Sequence, residues 1–259
     1  MNYNNYKISV VTVCYNSEKT IAHTINSVIN QDYNNLEYII VDGMSTDGTI
    51  EIINQYKDKI DVIISEKDLG LYDAINKGIK IASGDIIGII NSDDLFNGNN
   101  VITKINHSFN LQDDIEIVYS DVIFFDALKK KTLRYYSSKF FMPFLFRFGF
   151  QPAHPTFYAK KYLFDKYGNY NIKYRIASDF DLMLRFLYVH KIKFVYIKDV
   201  WVKMLIGGVS TSGIKSVIKI NNEILDSCKK NRLYTNFILI YSKYLFKLLS
   251  FFKTNRNEY

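Results

Sequence analysis

This 259-residue sequence lacks several features, and each absence excludes something. Its two cysteines, Cys14 and Cys228, are far apart and form no CxxC pair, which excludes a disulfide framework or a zinc ribbon and favours a reducing compartment. No GxGxxG follows the first strand-like run and no GxxxxGK[ST] occurs anywhere, so a dinucleotide oxidoreductase or a P-loop NTPase is excluded. There is no Gly/Ser/Pro linker and no internal repeat. The one dense basic run, Lys129-Lys130-Lys131, is too little for a nucleic-acid face, so no nucleic-acid partner is expected. At the N-terminus Lys7 runs straight into a strand-length apolar segment with no small-residue cleavage site. That is no signal peptide, and a cytoplasmic place is expected.

What is present is an ordinary globular balance with an aromatic excess. Hydrophobic residues make up 48% and charged residues 23%, enough for a sizeable core. Tyr 21 and Phe 19 against Trp 1 need a core, a lipid surface or a carbohydrate groove to sit in. The net charge of +7 favours anionic partners such as phosphates or anionic lipid.

The first hundred residues alternate between two periods. Ile8–Cys14, Leu36–Val41, Ile60–Ile64 and Ile86–Ile90 are short β-branched runs. Between them, Glu18–Gln31, a segment from Thr46 to about Tyr56, and Leu71–Ala82 carry helical spacing. Strands apolar on both faces and separated by helices predict an α/β fold with a mostly parallel, Rossmann-like central sheet flanked by helices. After Ile115 the pattern loosens into Ile115–Tyr119, Val122–Phe125, an aromatic stretch Phe140–Phe150, a helix Asp179–Tyr188 and a strand Lys193–Ile197. The chain divides into a domain over 1–212 and a helical appendage over 213–259. In Asn236–Thr254 the residues Asn236, Lys243, Lys247, Ser250 and Thr254 fall on one stripe at about 100° per residue, with apolar side chains around it. The lysines argue against a spanning helix. A helix in a membrane interface with its lysines up is expected, the alternative being a helix packed on the domain.

Ligands of a parallel α/β sheet bind beyond the carboxyl ends of the strands. There, strand two ends at Asp42, strand three leads to Asp68, and strand four leads into Asp93-Asp94. Each acid alone could be a turn former or a helix cap. Together they repel unless a cation joins them, and Mg²⁺ or Mn²⁺, which shares oxygen ligands with phosphates, is the economical answer.

Five segments in order, Ile8–Asn16 (ISVVTVCYN), Ile40–Thr49 (IVDGMSTDGT), Gly70–Gly78 (GLYDAINKG), Gly84–Leu95 (GDIIGIINSDDL) and Ala177–Arg185 (ASDFDLMLR), resemble glycosyltransferase family 2. The resemblance runs from about Lys7 to about Ser210. It implies the GT-A fold and a nucleotide-sugar-dependent, inverting enzyme of bacterial polysaccharide assembly, with a glycan or polyprenyl-linked acceptor. By position it implies that Thr12, Tyr15, Asp42 and Asp68 hold the nucleobase and ribose of the donor. Asn76 and Lys77 fall in the third-helix motif that meets the diphosphate. Asp93 faces the ribose and metal, Asp94 ligates the metal, and Asp179 is the catalytic base. Ser178-Asp179-Phe180-Asp181 also suits the first turn of a helix, with Ser178 as its cap.

Three positions depart from the family pattern. Ile75 stands where many members have Arg, Ser178 replaces the first acid of the usual acid pair, and no late metal-binding His occurs near Leu205-Ile206. No QxxRW-like run surrounds Trp201, against a processive synthase. Gln151-Pro152-Ala153-His154-Pro155-Thr156 resembles a segment bordering the acceptor site, with His154 as acceptor residue, and Gly207–Thr211 is a lid or a plain loop. A non-catalytic nucleotide-sugar or glycan-binding protein on the same fold is the alternative.

Overall fold

In the computed structural model, residues 3–126, 131–205 and 214–244 are described. The β-branched runs form β1 (Ile8–Cys14), β2 (Leu36–Asp42), β3 (Val62–Ser65) and β4 (Ile86–Asn91). They pair in parallel in the order β3-β2-β1-β4, with Ile8 opposite both Leu36 and Ile86. Every residue of β1 is buried, as expected of a central strand covered on both faces. The intervening helices are α1 (Ile21–Ile29), α2 (Thr49–Asn54) and α3 (Leu71–Ile81).

Alternation of side chains along β1 sorts the two cores. Val11 and Val13 face a cluster with Ile75 and Ile79 of α3, and Phe180 and Leu184 further along the chain. Ile8, Val10 and Cys14 face the opposite cluster, with Ile21 and Ile25 of α1 and with Val101 and Ile105 of α4 (Val101–Phe109).

The second half is mixed rather than parallel. The two extended pieces predicted after Ile115 are one strand, β6 (Ile117–Asp126), and β9 runs on from Phe194 to Leu205. Three short strands were not foreseen: β5 (Asp94–Phe96), β7 (Lys131–Tyr136) and β8 (Tyr158–Lys160). β8 sits antiparallel between β4 and β6, β9 runs parallel to β6, and β5 closes the sheet antiparallel to β9. β7 is an antiparallel partner of β6. At the β4–β8 seam a Cβ on Gly88 would overlap the buried ring of Tyr158, so glycine there makes the room in which that ring lies across the neighbouring strand.

The aromatic stretch 140–150 contains a 3₁₀ turn, Pro143–Phe148. After a second such turn at His154–Thr156 come α5 (Tyr162–Tyr167) and α6 (Ser178–Met183). The helix predicted over Asp179–Tyr188 changes register: α6 widens at Leu184–Val189 into π-type turns. α7 (Ile214–Lys230) then leads to a last helix, α8 (237–244).

Candidate functional site

The carboxyl ends of β1 and β2 turn sharply, and both turns use a left-handed residue. Asn16 stands at φ 50° and Met44 at φ 65°. Asparagine tolerates that conformation, whereas an unbranched apolar residue there is uncommon and exposed strain of this kind gathers at functional sites. The turns are laced together: Asn16 N–H donates to Ser45 Oγ at 2.8 Å, and Thr46 N–H donates to Asn16 Oδ1 at 2.8 Å. Asp42 lies beneath them, fully buried. It accepts from Ser45 N–H at 3.0 Å, from Ser65 Oγ at 2.7 Å and from the Ser45 hydroxyl. It is a fixed negative pivot of the two turns.

Above that pivot lies an open shelf. Tyr15 is 61% exposed and its ring edge lies beside Gly43. Asp68 presses on Gly43 so closely that a Cβ would overlap its carboxylate, while its other oxygen accepts from Gly70 N–H at 2.8 Å. A flat ring, a bare backbone and a carboxylate side by side suit a planar base and its hydrogen-bonding edge.

Thr12 does not belong to this shelf. It lies two residues inside β1 with no exposure, and its Oγ1 accepts from Tyr38 Oη at 3.1 Å. Cys14, next on the same face and the last residue of the strand, lies at the edge instead, its thiol 3.7 Å from Asp42 Oδ1.

On α3, Asn76 is fully used by the fold. Its Nδ2 donates to the Tyr170 carbonyl at 2.8 Å and its Oδ1 accepts from Tyr170 N–H at 3.0 Å. Lys77 pairs with Glu66 at 2.8 Å and donates to the Lys67 carbonyl at 2.8 Å, one residue from Asp68. The Glu66 carboxylate raises the lysine's pKa further. Asn76 thus holds a loop, and Lys77 brings positive charge to the shelf's rim.

Beyond β4 the acids meet polar partners. Asp94 opens β5 and is almost wholly buried, with Asn91 Nδ2 donating to its Oδ2 at 3.2 Å. Burial first, then repulsion from Asp93, pushes the Asp94 carboxyl well above the usual carboxylate range. Burial also raises Asp93, although His154 opposes it. The buried Asn91 Oδ1 has no partner. Two carboxylates and an orphaned amide oxygen form an all-oxygen set, which suits a hard divalent cation. Among the described residues no group of three or more His, Cys, Asp or Glu side chains could hold a metal by themselves.

His154 connects this acid pair to Asp179. Its Nε2 lies 3.3 Å from Asn91 Nδ2, and its Nδ1 lies 3.8 Å from Asp179 Oδ2. Burial lowers the imidazole pKa, with Asp179 and Asp93 pulling it back up. Asp179 is gripped from two further elements: Gln151 Nε2 donates to Oδ2 at 2.6 Å and Tyr72 Oη donates to Oδ1 at 3.3 Å. The single Tyr72 hydroxyl proton is shared with the Ile176 carbonyl at 2.6 Å, and the ring stacks on Tyr170. The result is a carboxylate held in one orientation, still partly exposed.

Asp181 has a different task. Its side chain is buried, bonded to Arg185 at 2.9 Å and accepting from Ser227 Oγ at 2.7 Å, which ties α6 to α7. Ser178 is not the helix cap. Ala177 holds that position, and the Ser178 hydroxyl is buried without a partner. The approach to the helix is held from α7: Glu223 accepts from the backbone N–H groups of Arg175, Ile176 and Ala177 at 3.0, 2.9 and 2.9 Å.

Of the residues that the resemblance implies, Tyr15 and Asp68 gather at Gly43, Asp93, Asp94, His154 and Asp179 gather beyond β4, Lys77 reaches the rim, and Thr12, Asp42 and Asn76 are taken up by the fold. Gln151, Tyr72, Asn91 and Glu223 were not singled out, because their partners lie 28 to 107 residues away for the first two and no local pattern marks them. For Gln151 the quoted segment Gln151–Thr156 was the available signal. Gly207–Thr211 lies outside the described residues.

The sequence model of the family described as Glycosyl transferase family 2 matches residues 9–175. A PGL/p-HBAD biosynthesis glycosyltransferase of Mycobacterium tuberculosis is 25% identical over 180 residues, 68% of each chain. The Escherichia coli UDP-Glc:alpha-D-GlcNAc-diphosphoundecaprenol beta-1,3-glucosyltransferase WfaP is 36% identical over 114 residues, 44% of each chain. In fold, Staphylococcus aureus TarS 1-349 in complex with UDP-GlcNAc superposes with a TM-score of 0.66 at 18% identity, covering 85% of this chain and 66% of that one. The mannosyltransferase PcManGT of Pyrobaculum calidifontis, in complex with GDP-Man and Mn²⁺, gives 0.60 at 15% identity over 85% and 64%. This chain thus spans about two thirds of the length of those structures.

Proposed function

Because the chain belongs to glycosyltransferase family 2, we propose that the edge built from Tyr15, Asp68, Asp93, Asp94, His154 and Asp179 transfers one sugar, with inversion, from a nucleoside-diphosphate donor to an acceptor hydroxyl. The observation that carries this is the grip on Asp179. A partly exposed carboxylate, held by Gln151 and Tyr72 and with His154 between it and Asn91 of the Asp93-Asp94 turn, supports its reading as the base.

Each residue has a task in this reading. The shelf of Tyr15 and Gly43 takes the base face, and Asp68 takes its edge or the ribose, with Lys77 at the rim. Asp42 supports the shelf from below, and Asn76 supports the Tyr170 loop, on whose ring Tyr72 stacks. Asp94 and Asp93, with Asn91 Oδ1, would hold Mn²⁺ or Mg²⁺ against the donor diphosphate. A bound cation supplies Lewis-acid stabilisation to the charge growing on the departing diphosphate. Asp179 takes the proton of the acceptor hydroxyl as its oxygen bonds to the anomeric carbon. The bond from that carbon to the diphosphate oxygen breaks on the opposite face, so one displacement inverts the centre. His154 borders the acceptor side.

For the acceptor, the likeness to the Escherichia coli glucosyltransferase acting on a diphosphoundecaprenol-linked sugar supports a glycan or polyprenyl-linked acceptor in surface polysaccharide assembly. The two buried free cysteines support a reducing, cytoplasmic setting. No described helix is long and apolar enough to cross a membrane. Asp179→Asn tests the catalytic claim: an enzyme loses most turnover and keeps donor affinity by calorimetry. A binding protein on the same fold shows no turnover to lose, and that result would sink the proposal.

A further inference from the structure

Charge is unevenly distributed along the chain. No Asp or Glu occurs from Ala127 to Phe164, which carries eight Lys and Arg, nor from Ser227 to Asn257, which carries seven. The fold packs described parts of these two acid-free segments together. Cys228 Sγ lies 3.9 Å from the Phe146 carbonyl, Thr235 Oγ1 donates to the Arg147 carbonyl, and Gly149 lies against Lys243 and Ile240 of α8.

That packing turns α8 opposite to the orientation its pattern suggested. Of the polar stripe, Lys247, Ser250 and Thr254 lie outside the described residues; within them Lys243 is only 5% exposed and faces the domain beside buried Ile240, which agrees with the packed alternative. The outer face carries Phe237, Ile238 and Tyr241, with Tyr234 in the turn before it; Ile238 is 82% exposed. The partner segment adds exposed Phe140, Met142 and Phe144, with Lys139 Nζ 5.2 Å from the Phe140 ring centre. Exposed Lys229 and Arg232 flank the turn into α8. Large aromatic and aliphatic tips with interleaved cations and no acid are the composition of a surface that sinks into a lipid interface. A second copy would set one acid-free basic face against another, which repulsion opposes.

We propose that the face formed by 139–144 and 229–241 docks on an anionic bilayer, its apolar side chains entering the headgroup boundary and its lysines and arginines meeting lipid phosphates. The docking stands independently of the catalytic assignment. One consequence does rest on that assignment: the docked segment is joined through the turn Pro143–Phe148 to Gln151, whose amide holds Asp179, which suits an acceptor carried by lipid.

The test is flotation of the full chain with phosphatidylcholine vesicles, with and without roughly one third phosphatidylglycerol, at low and high salt. The chain should float with the anionic vesicles, and raised salt should lower the bound fraction. Phe237→Ser with Ile238→Asp should weaken binding by about tenfold or more, and Lys229→Gln with Arg232→Gln by about twentyfold. Leu111→Asp, on a distant exposed site, should bind as the unmodified chain does. Failure of the unmodified chain to float with anionic vesicles overturns the proposal, as does equal flotation of the Phe237/Ile238 variant. A dimer that this variant breaks, with no vesicle binding, assigns the face to self-association and overturns it too. Transfer to a water-soluble acceptor reads the catalytic assignment separately, since the Phe237/Ile238 variant should retain it in full.

Discussion

At the scale of single residues, Asp179 and Asp181 lie two positions apart and differ entirely in surroundings. Asp181 is spent on Arg185 and Ser227, while Asp179 keeps part of its surface and receives Gln151 and Tyr72. The order of the motif favours Asp179 in the sequence already, but the hand that holds it was invisible there, because Gln151 and Tyr72 converge through the fold. Asp179→Asn should lower kcat by about 10²–10⁴-fold with donor affinity unchanged. Gln151→Ala should lower kcat about tenfold or more through loss of orientation, again without weakening donor binding by calorimetry. A matching rise in the donor dissociation constant would instead make Gln151 a donor-site residue. Thr12 belongs to a motif by position, yet it lies two residues inside β1 and is fully buried, while Cys14, next on the same face, ends the strand.

At the scale of elements, β1 to β4 and their helices follow from period alone, since fully covered strands and amphipathic helices announce themselves in short windows. β5, β7 and β8 do not, because strands of three to six residues owe their existence to distant partners rather than to local pattern. The start of α6 is another case. The chain entering it is held by Glu223, some fifty residues downstream, while the Ser178 hydroxyl that the local pattern offers as a cap is buried without a partner. Glu223→Ala leaves three backbone donors to find water, and should cost about 1–3 kcal/mol in urea unfolding while lowering kcat through the displaced Asp179. Glu37 gives an element-scale pH dependence. It accepts from Lys7 of the entering chain, Ser9 of β1 and Ser83 before β4. Burial opposes its charge, but these hydrogen bonds outweigh burial and hold the carboxyl at about 2. Its folded pKa is depressed, so its contribution is complete above the ordinary glutamate range and is lost as pH falls towards 2. Urea midpoints of Glu37→Gln should therefore fall less steeply than those of the unmodified protein across that acid range.

At the scale of the whole molecule, anionic and cationic work are divided. The acids crowd one sheet edge, where Asp94 is kept well above its ordinary pKa by burial and by Asp93. A raised folded pKa means that protons compete with a cation there. Cation affinity should consequently tighten as pH rises and Asp94 ionises, and calorimetry at several pH values should record proton release on binding. The central claim, that this edge holds a nucleotide sugar with a cation, is tested most directly by the melting temperature of the full chain with UDP-, GDP- and dTDP-sugars, each with Mn²⁺ and with EDTA. One nucleotide should raise the melting temperature when Mn²⁺ is present, and Asp94→Asn should abolish the rise. No rise with any donor, or an equal rise in EDTA with Asp94→Asn, would contradict it.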